Sequence, residues 1–293
     1  MESSTTVKSS IALSITAIIW GLAFVAQRVS LDFLGGFSFN AIRFALGALS
    51  LVPVSMALNA RLPKGSRGAW SDTIKAGLPC GAVLFSGAAL QQIGMNWTSA
   101  GKAAFLTGLY IILVPLAGFF RGRKPGKAVG IGAVFGLVGL YLLSVNENLS
   151  LGLGDILELI GAFFWAAHIL LLGKFSRRVD PIRLSIVQFI VCAILSAVPA
   201  LLFEHTTINA VHDALPVILY AGICSVGIAY TLQAVGQKGM AAGPATLILS
   251  METVVAAIGG ALLLGEAMSI RALIGCGLMF AGMLLAQMKR PTE

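Results

Sequence analysis

Ten apolar stretches follow one another along this chain, and each has about the length that a helix needs to cross a lipid bilayer. A helix satisfies all of its own backbone amides in lipid, whereas barrel strands would alternate apolar and polar residues, which these stretches do not. The sequence therefore predicts an all-α polytopic membrane protein. The predicted transmembrane helices lie at approximately 9–30, 36–58, 74–95, 99–120, 127–145, 154–173, 181–203, 213–235, 243–264 and 270–288.

The composition supports a membrane fold and argues against a soluble one. Hydrophobic residues make up 57% of the chain and charged residues 11%, whereas soluble domains carry roughly 25% charged residues. The formal charge of +8 does not indicate nucleic-acid binding, because the basic residues are scattered through short connections. The four cysteines lie inside apolar stretches without metal-site spacing, so neither a metal nor a cofactor is expected.

The basic residues also predict the orientation in the membrane. With the N-terminus in the cytoplasm, the connections on that side carry most of the lysines and arginines, and the opposite side receives Arg28, Lys102 and Arg271. Because lysine and arginine are retained on the cytoplasmic side, both termini are predicted to be cytoplasmic.

The two halves of the sequence resemble each other. The pattern Leu-Gln-x-x-Gly that begins at Leu90 recurs 142 residues later, and Trp20 corresponds to Trp165. Each half contains five predicted helices, an odd number, so the second half must be inverted relative to the first. We therefore predict two inverted five-helix repeats, residues 1–150 and 151–293, in one membrane domain. Further matched positions are Arg43 with Gln188, Tyr110 with Glu252, Gln91 with Gln233, and Gly132 and Gly139 with Gly275 and Gly282.

Polar and aromatic residues inside the predicted helices indicate a binding site. Transporters with inverted repeats hold their substrate near the middle of the membrane, between the repeats. Ionisable residues cost about 2.5–3.5 kcal/mol there and therefore mark functional positions, while aromatic rings attract ammonium groups. We expect a central cavity for a small zwitterionic or amphipathic solute, lined by Trp20, Arg43, Gln91, Tyr110, Trp165, His168, Gln188, Tyr230 and Glu252.

Simpler roles stay open for several of these residues. Arg43 and Glu252 can pair with each other instead of binding a solute. The two matched tryptophans can serve packing alone, and the glutamines can form ordinary interhelical hydrogen bonds. Two other acidic residues, Glu158 and Glu266, are expected near span ends where water reaches them.

Several short motifs resemble those of one known family. They are Ile19-Trp20-Gly21, Ala41-Ile42-Arg43-Phe44, Trp165-Ala166-Ala167-His168, Ser250-Met251-Glu252 and Leu264-Gly265-Glu266. Taken together, the chain resembles the EamA-type branch of the drug/metabolite transporter superfamily, and within it the bacterial amino-acid exporters, in particular the aromatic amino-acid exporter branch. The resemblance extends from Ile11 to Gln287.

This resemblance implies ten helices in two inverted repeats, a cavity built from helices 1–4 and 6–9, and outer helices 5 and 10. It also implies export of amino acids or related metabolites from the cytoplasm, across a bacterial inner membrane. Many relatives carry proline after the glutamate of the ninth helix, where this chain has Thr253, so the identity of the substrate stays open.

Other functions are excluded or remain as alternatives. Intramembrane proteolysis requires paired buried aspartates, which the predicted helices lack, and serine- and zinc-hydrolase motifs are absent from the sequence, so no enzyme is expected. A multidrug or other metabolite carrier and a passive channel are the alternatives. Proton coupling through Glu252 or His168 and facilitated diffusion are both compatible with the sequence. The expected partners are a small-molecule substrate and membrane lipid, with a monomer as the working assumption.

Overall fold

Regular structure in the computed structural model is helical throughout the described residues, which are 2–61, 63, 68–98, 100–120, 122, 126–144, 152–264 and 269–288. The predicted boundary between the halves, at residues 150 and 151, lies outside them, as do Gly265 and Glu266. The helices are, in chain order, α1 (Glu2–Ser30), α2 (Gly36–Arg61), α3 (Trp70–Gly94), α4 (Ala100–Gly108), α5 (Tyr110–Phe120), α6 (Lys127–Ser144), α7 (Leu153–Phe175), α8 (Pro181–Phe203), α9 (Ile208–Asp213), α10 (Leu215–Leu219), a π-helical segment (Tyr220–Tyr230), α11 (Thr231–Lys238), α12 (Ala242–Leu249), α13 (Met251–Leu264) and α14 (Ile270–Met288).

The prediction of a polytopic helical membrane protein is confirmed. Within the described residues, eight helical stretches are long and apolar enough to cross a membrane, and they coincide with eight of the predicted spans. Shorter apolar helices, Lys127–Leu142 and Ile270–Leu285, occupy the fifth and tenth predicted positions, so ten crossings stay a prediction. The eight stretches are Thr5–Ser30, Gly36–Arg61, Trp70–Gly94, Ala100–Phe120, Leu153–Phe175, Pro181–Phe203, Leu215–Lys238 and Ala242–Leu263.

Helix ends follow capping rules. The Asp180 side chain accepts a hydrogen bond of 2.9 Å from Arg183 N at the start of α8. Just beyond the other end of α8, the Glu204 carboxylate accepts hydrogen bonds from Phe37 N at 2.9 Å and Ser38 N at 2.7 Å. A carboxylate at a helix N-terminus accepts hydrogen bonds from the unpaired amides there and is stabilised by the helix dipole. The end of α8 is thereby attached to the start of α2.

Packing joins helices from the two halves of the sequence. α1 packs on α11, α12, α13 and the π-helical segment, α7 packs on α3, α4 and α5, α2 packs on α8, and α6 packs on α14. The α6–α14 contact is close because glycines lie in it. A Cβ added at Gly139 would lie 2.5 Å from Gly275 O, and one added at Gly282 would lie 2.6 Å from Gly132 O. Small residues of this kind let membrane helices approach each other.

Two of the helical stretches are interrupted within one residue of matched positions. Leu109 separates α4 from α5, and Ser250 separates α12 from α13. At the second interruption, the Ser250 hydroxyl donates to Leu247 O at 2.9 Å, and the Thr253 hydroxyl donates to Ser250 O at 2.7 Å. Side-chain hydroxyls can take up backbone carbonyls in this way where the regular ladder is disturbed. The interruptions place Tyr110 at the start of α5 and Glu252 in the first turn of α13.

The π-helical segment has no counterpart in α3, which is the matched stretch of the first half. π-Helices are rare, usually a single turn long and frequent at functional sites, whereas this one covers 11 residues. Side chains and backbone of α1 bind it directly. The Thr16 hydroxyl donates to Ala229 O at 3.0 Å, and the Tyr220 hydroxyl donates to Ile19 O at 2.8 Å.

Candidate binding cavity

A cavity lies where α1, α2, α3, α4, α5, α7, the π-helical segment, α11 and α13 meet. Its volume, measured as the space open to the centre of a water molecule, is about 40 Å3. Most small-molecule sites combine apolar walls with a few convergent polar groups, and this cavity has that composition. Its lining residues are Trp20, Ala23, Phe24, Gln27, Arg43, Gln91, Thr107, Tyr110, Trp165, Ile169, Ser225, Tyr230, Gln233 and Glu252.

Seven of the nine residues predicted from the sequence line this cavity, namely Trp20, Arg43, Gln91, Tyr110, Trp165, Tyr230 and Glu252. The other two, His168 and Gln188, are absent from its lining. They lie behind the wall, where His168 Nε2 and Gln188 Oε1 are 2.9 Å apart and both side chains are fully buried. His168 still touches the wall edge-on, with its ring centroid 6.0 Å from that of Tyr230.

Aromatic rings form one wall of the cavity. The Tyr230 ring lies 4.5 Å from that of Trp20 and 6.4 Å from that of Trp165, centroid to centroid, and the second pair is stacked with an interplanar angle of 24°. Phe44 continues the cluster at 6.1 Å from Tyr230. Tilted and offset arrangements of this kind are favourable for aromatic pairs. The wall combines residues from both halves of the sequence.

Arg43 contributes a buried positive charge. Its residue is 2% exposed, its Nε donates to Asn40 Oδ1 at 2.9 Å, and its guanidinium lies 4.9 Å from the Phe44 ring centroid. Asn40 is held in turn by donating to Ala88 O at 3.1 Å. A guanidinium presents five donors, and in the part of the chain that the structure describes only Nε is hydrogen-bonded.

Glu252 contributes a buried carboxyl, and its partner is Tyr110 rather than Arg43. The Tyr110 hydroxyl donates to Glu252 Oε1 at 2.8 Å. Among the described residues, no ion pair joins Arg43 to Glu252, so the pairing that the sequence left open is not formed. Glu252 lies in the first turn of α13, where a helix dipole stabilises negative charge. The cavity therefore borders on a guanidinium and a carboxyl that are not paired with each other.

A network of amides closes one side of the cavity. Gln91 Nε2 donates to Gln27 Oε1 at 3.1 Å, and Gln92 Nε2 lies 3.1 Å from both Gln27 O and Ser30 Oγ. Thr107 Oγ1 lies 3.4 Å from Gln91 Oε1. Interhelical hydrogen bonds of this type are ordinary in membrane proteins. Gln91 therefore lines the cavity and also forms interhelical hydrogen bonds. From the sequence alone, these two roles are alternatives.

The expectation that Glu158 lies near water was wrong. Glu158 is 0% exposed, and its Oε2 lies 3.4 Å from Thr107 Oγ1. The burial follows from close packing at the start of α7, where a Cβ added at Gly94 would lie 3.1 Å from both Gly154 O and Glu158 Oε1. Because no side chain separates the two backbones, α3 covers this carboxyl. Glu266 lies outside the described residues.

Sequence reasoning missed four polar lining residues, Gln27, Thr107, Ser225 and Gln233, as members of the site. Gln27 carries a signal, because it is a polar residue inside the first predicted helix. Ser225 is different: its backbone carbonyl accepts a hydrogen bond of 3.2 Å from Trp20 Nε1, and no side-chain pattern marks a carbonyl exposed by a π-helix.

Comparison with known proteins decides the family. The model of the EamA-like transporter family matches this chain twice, over residues 7–145 and over residues 152–288. The chain belongs to the EamA-like transporter family. An EamA-like chain with this fold is a membrane transporter, which confirms the coarser part of the resemblance described from the motifs.

Relatives of this EamA-like chain carry similar names. An uncharacterized transporter of Archaeoglobus fulgidus is 28% identical over 280 residues, which cover 95% of this chain and 85% of that protein. An uncharacterized transporter of Bacillus subtilis is 26% identical, covering 94% and 92%, and an uncharacterized protein of Pseudomonas aeruginosa is 30% identical, covering 80% and 78%. A solved crystal structure shares the fold, with a TM-score of 0.76, 21% identity and coverage of 97% and 96%.

Proposed function

We propose that this transporter exports amino acids or related small amphipathic metabolites from the cytoplasm, and that they bind in the cavity between the two halves. The observation that carries the proposal is the composition of the cavity wall. It holds an arginine and a glutamate that do not pair with each other, together with five aromatic side chains.

A zwitterionic solute complements that wall. A carboxylate accepts charge-assisted hydrogen bonds from the guanidinium of Arg43, and an ammonium group is attracted by Glu252 and by the aromatic faces of Trp20 and Tyr230. The apolar side chain of an aromatic or aliphatic amino acid fits against Trp165. We propose that His168 and Gln188, which lie behind the aromatic wall, hold it in position without contacting the solute.

We propose ten membrane crossings arranged as two inverted repeats, residues 1–150 and 151–293. Three observations support the repeat. The family model matches each half separately, the two interruptions fall within one residue of matched positions, and the glycine contacts of α6 and α14 are reciprocal. In those contacts Gly139 meets Gly275, and their matched residues Gly282 and Gly132 meet in the same way.

Alternating access is the mechanism that inverted repeats favour, with the cavity opening to one side of the membrane at a time. We propose a bacterial inner-membrane location with both termini cytoplasmic, because the basic residues concentrate on that side. A monomer surrounded by lipid is sufficient, since one chain provides the whole cavity wall.

The test uses the full chain in liposomes and a panel of radiolabelled aromatic, aliphatic and charged amino acids. Saturable uptake that is accelerated by the same amino acid inside the vesicles indicates a carrier, whereas uptake that does not saturate indicates a channel. Transport of hydrophobic cations in place of amino acids would favour the multidrug alternative.

Glu252→Gln is the first variant to test in that assay, because it keeps the size of the side chain and removes its charge. We expect folded protein with strongly reduced amino-acid transport. Asp32→Asn is the matched control, since Asp32 is an exposed carboxylate 3.8 Å from Arg28 and outside the cavity. Normal transport by Glu252→Gln would remove Glu252 from the proposed site.

A further inference from the structure

Glu158 is a second buried carboxyl, outside the cavity wall. It is 0% exposed on α7, its Oε1 has no hydrogen-bond partner among the described residues, and its Oε2 approaches only the Thr107 hydroxyl, at 3.4 Å. An ionised carboxylate in such a place, without a cation or several donors, is strongly disfavoured. The surroundings therefore favour the neutral acid.

The charged neighbours do not neutralise Glu158. On its own helix, Asp155 lies one turn earlier, and Lys102 of α4 directs its ammonium to that aspartate, with Nζ 2.6 Å from Asp155 Oδ2. From α3, the residue that faces Glu158 is Gly94, which carries no charge. The Lys102 side chain is 36% exposed, so the Asp155–Lys102 pair reaches the solvent within one helical turn of the buried acid.

The hydrogen-bond chain has a direction, which is set at a backbone carbonyl. Gln27 Nε2 donates to Ala23 O at 3.3 Å, so Gln27 Oε1 is the acceptor for Gln91 Nε2 at 3.1 Å. Gln91 Oε1 consequently faces the Thr107 hydroxyl. A hydroxyl has one hydrogen, and when it goes to Gln91, a lone pair of Thr107 faces Glu158. In that arrangement Glu158 is the donor, which requires a proton on its carboxyl. In the other arrangement, at the same distance of 3.4 Å, the Thr107 hydroxyl donates to Glu158 Oε2 instead.

We infer that Glu158 is a proton-binding site, and that Thr107 and Gln91 connect it to the substrate cavity. The inference rests on the proposed transport function and extends it to proton-coupled export. Thr107 and Gln91 belong both to the chain and to the cavity wall. A substrate that engages Gln91 competes for the Thr107 hydrogen bond, so substrate binding and proton binding affect each other reciprocally.

Glu158 releases and takes up its proton within this site. The O–H bond of the Glu158 carboxyl breaks, the proton passes to water at the Asp155–Lys102 end, and the carboxylate accepts the hydrogen bond of Thr107 that previously went to Gln91. The reverse step restores the acid. Glu252, hydrogen-bonded to Tyr110, remains available to the substrate.

Infrared spectroscopy of the liposome-reconstituted full chain tests the proton site without any substrate. The carbonyl stretch of a protonated buried carboxyl is recorded as a function of pH in the wild type, Glu158→Gln, Glu252→Gln and Asp32→Asn. We expect a pH-dependent band in the wild type, whose Glu158 component is lost in Glu158→Gln and retained in Glu252→Gln and Asp32→Asn. Retention of the complete band in Glu158→Gln would overturn the inference.

Transport of radiolabelled phenylalanine tests the coupling. The measured quantity is the ratio of uptake with a pH gradient to uptake without it. We expect this ratio to exceed one in the wild type and in Asp32→Asn, to fall to one in Glu158→Gln, and to decrease in Thr107→Val. A wild-type ratio of one, or an unchanged ratio in Glu158→Gln, would overturn the coupling. If the wild type moves no phenylalanine, that proposed substrate is refuted, and the infrared band alone decides the proton site.

Discussion

Trp20 and Trp165 occupy matched positions in the two halves, yet their indole nitrogens have different partners. Trp20 Nε1 donates to Ser225 O at 3.2 Å, whereas Trp165 Nε1 is buried without a hydrogen-bond partner in the described part of the chain. Both rings line the cavity. One indole N–H is therefore bonded within the protein, and the other has no partner among the described residues.

The two tryptophans face different stretches of helix. Trp20 faces the π-helical segment, in which the carbonyl of Ser225 accepts its hydrogen bond. Trp165 faces the regular helix α3, where a Cβ added at Gly87 would lie 3.1 Å from Trp165 Cε2. The two halves thus differ in how their matched tryptophans are bonded.

The largest expected effect concerns Arg43, whose matched position holds Gln188. Arg43→Gln makes the two halves alike at this position and removes a charge-assisted contact that is worth about 1.5–3 kcal/mol. We expect kcat/KM for amino-acid transport to fall by about tenfold to a hundredfold, measured in liposomes. If Arg43→Gln transports normally, the difference between the halves at this position does not serve binding.

The second effect concerns a contact in which the two halves are alike, the reciprocal glycine packing of α6 and α14. Gly139→Ala and Gly282→Ala each place a Cβ against a backbone carbonyl, at 2.5 Å and 2.6 Å, so we expect each to destabilise the protein by about 1–3 kcal/mol. The measurement is thermal unfolding in detergent. Gly130→Ala and Gly277→Ala lie on the same two helices with nothing within 4 Å of the added Cβ, and they should leave stability unchanged or slightly raised. Unequal losses for Gly139→Ala and Gly282→Ala would contradict the reciprocal contact.

The third effect separates the two tryptophans. Trp20→Phe removes the hydrogen bond to Ser225 O, and we expect a loss of about 1 kcal/mol in stability. Trp165→Phe removes no such bond within the described residues, so its stability should change less, while its apparent affinity for amino acids decreases. Thermal unfolding and transport KM are measured for both variants. Equal losses of stability would show that the two indoles are equivalent.

The smallest effect is expected for Ser225→Ala. Trp20 binds the backbone carbonyl of Ser225 and not its hydroxyl, so the bond survives the substitution. We expect a stability change within about 0.5 kcal/mol. A loss as large as that of Trp20→Phe would show that the hydroxyl, rather than the π-helical backbone, maintains this contact.

The helices and most of the cavity wall could be predicted from the sequence. An apolar stretch of bilayer length has few alternatives to a helix, and polar or aromatic residues such as Arg43 and Glu252 are conspicuous because so few lie inside the stretches. The hydrogen-bond partners of these residues could not be predicted, because an Arg43–Glu252 pair and a Tyr110–Glu252 pair are equally consistent with the composition.

Other features depend on contacts that no local pattern records. Glu158 lies near a predicted span end, and contacts with Gly94 of α3 and Thr107 of α4 cover it. The segment Tyr220–Tyr230 has the composition of an ordinary apolar helix, so its π-helical ladder could not be predicted. His168 is well inside a predicted helix, as expected, but its rotation on α7 places it behind the aromatic wall.

The attachment of α1 to the π-helical segment changes which parts of the chain can move independently. Thr16, Trp20 and the carbonyl of Ile19 bind that segment, while α7 packs against α3, α4 and α5. The first helix of each half is thus bonded to or packed on the opposite half. In a rocking motion that preserves these bonds, α1 would move with the second half and α7 with the first. Labels that report such a motion therefore belong on α1 and α3 rather than on either side of residue 150.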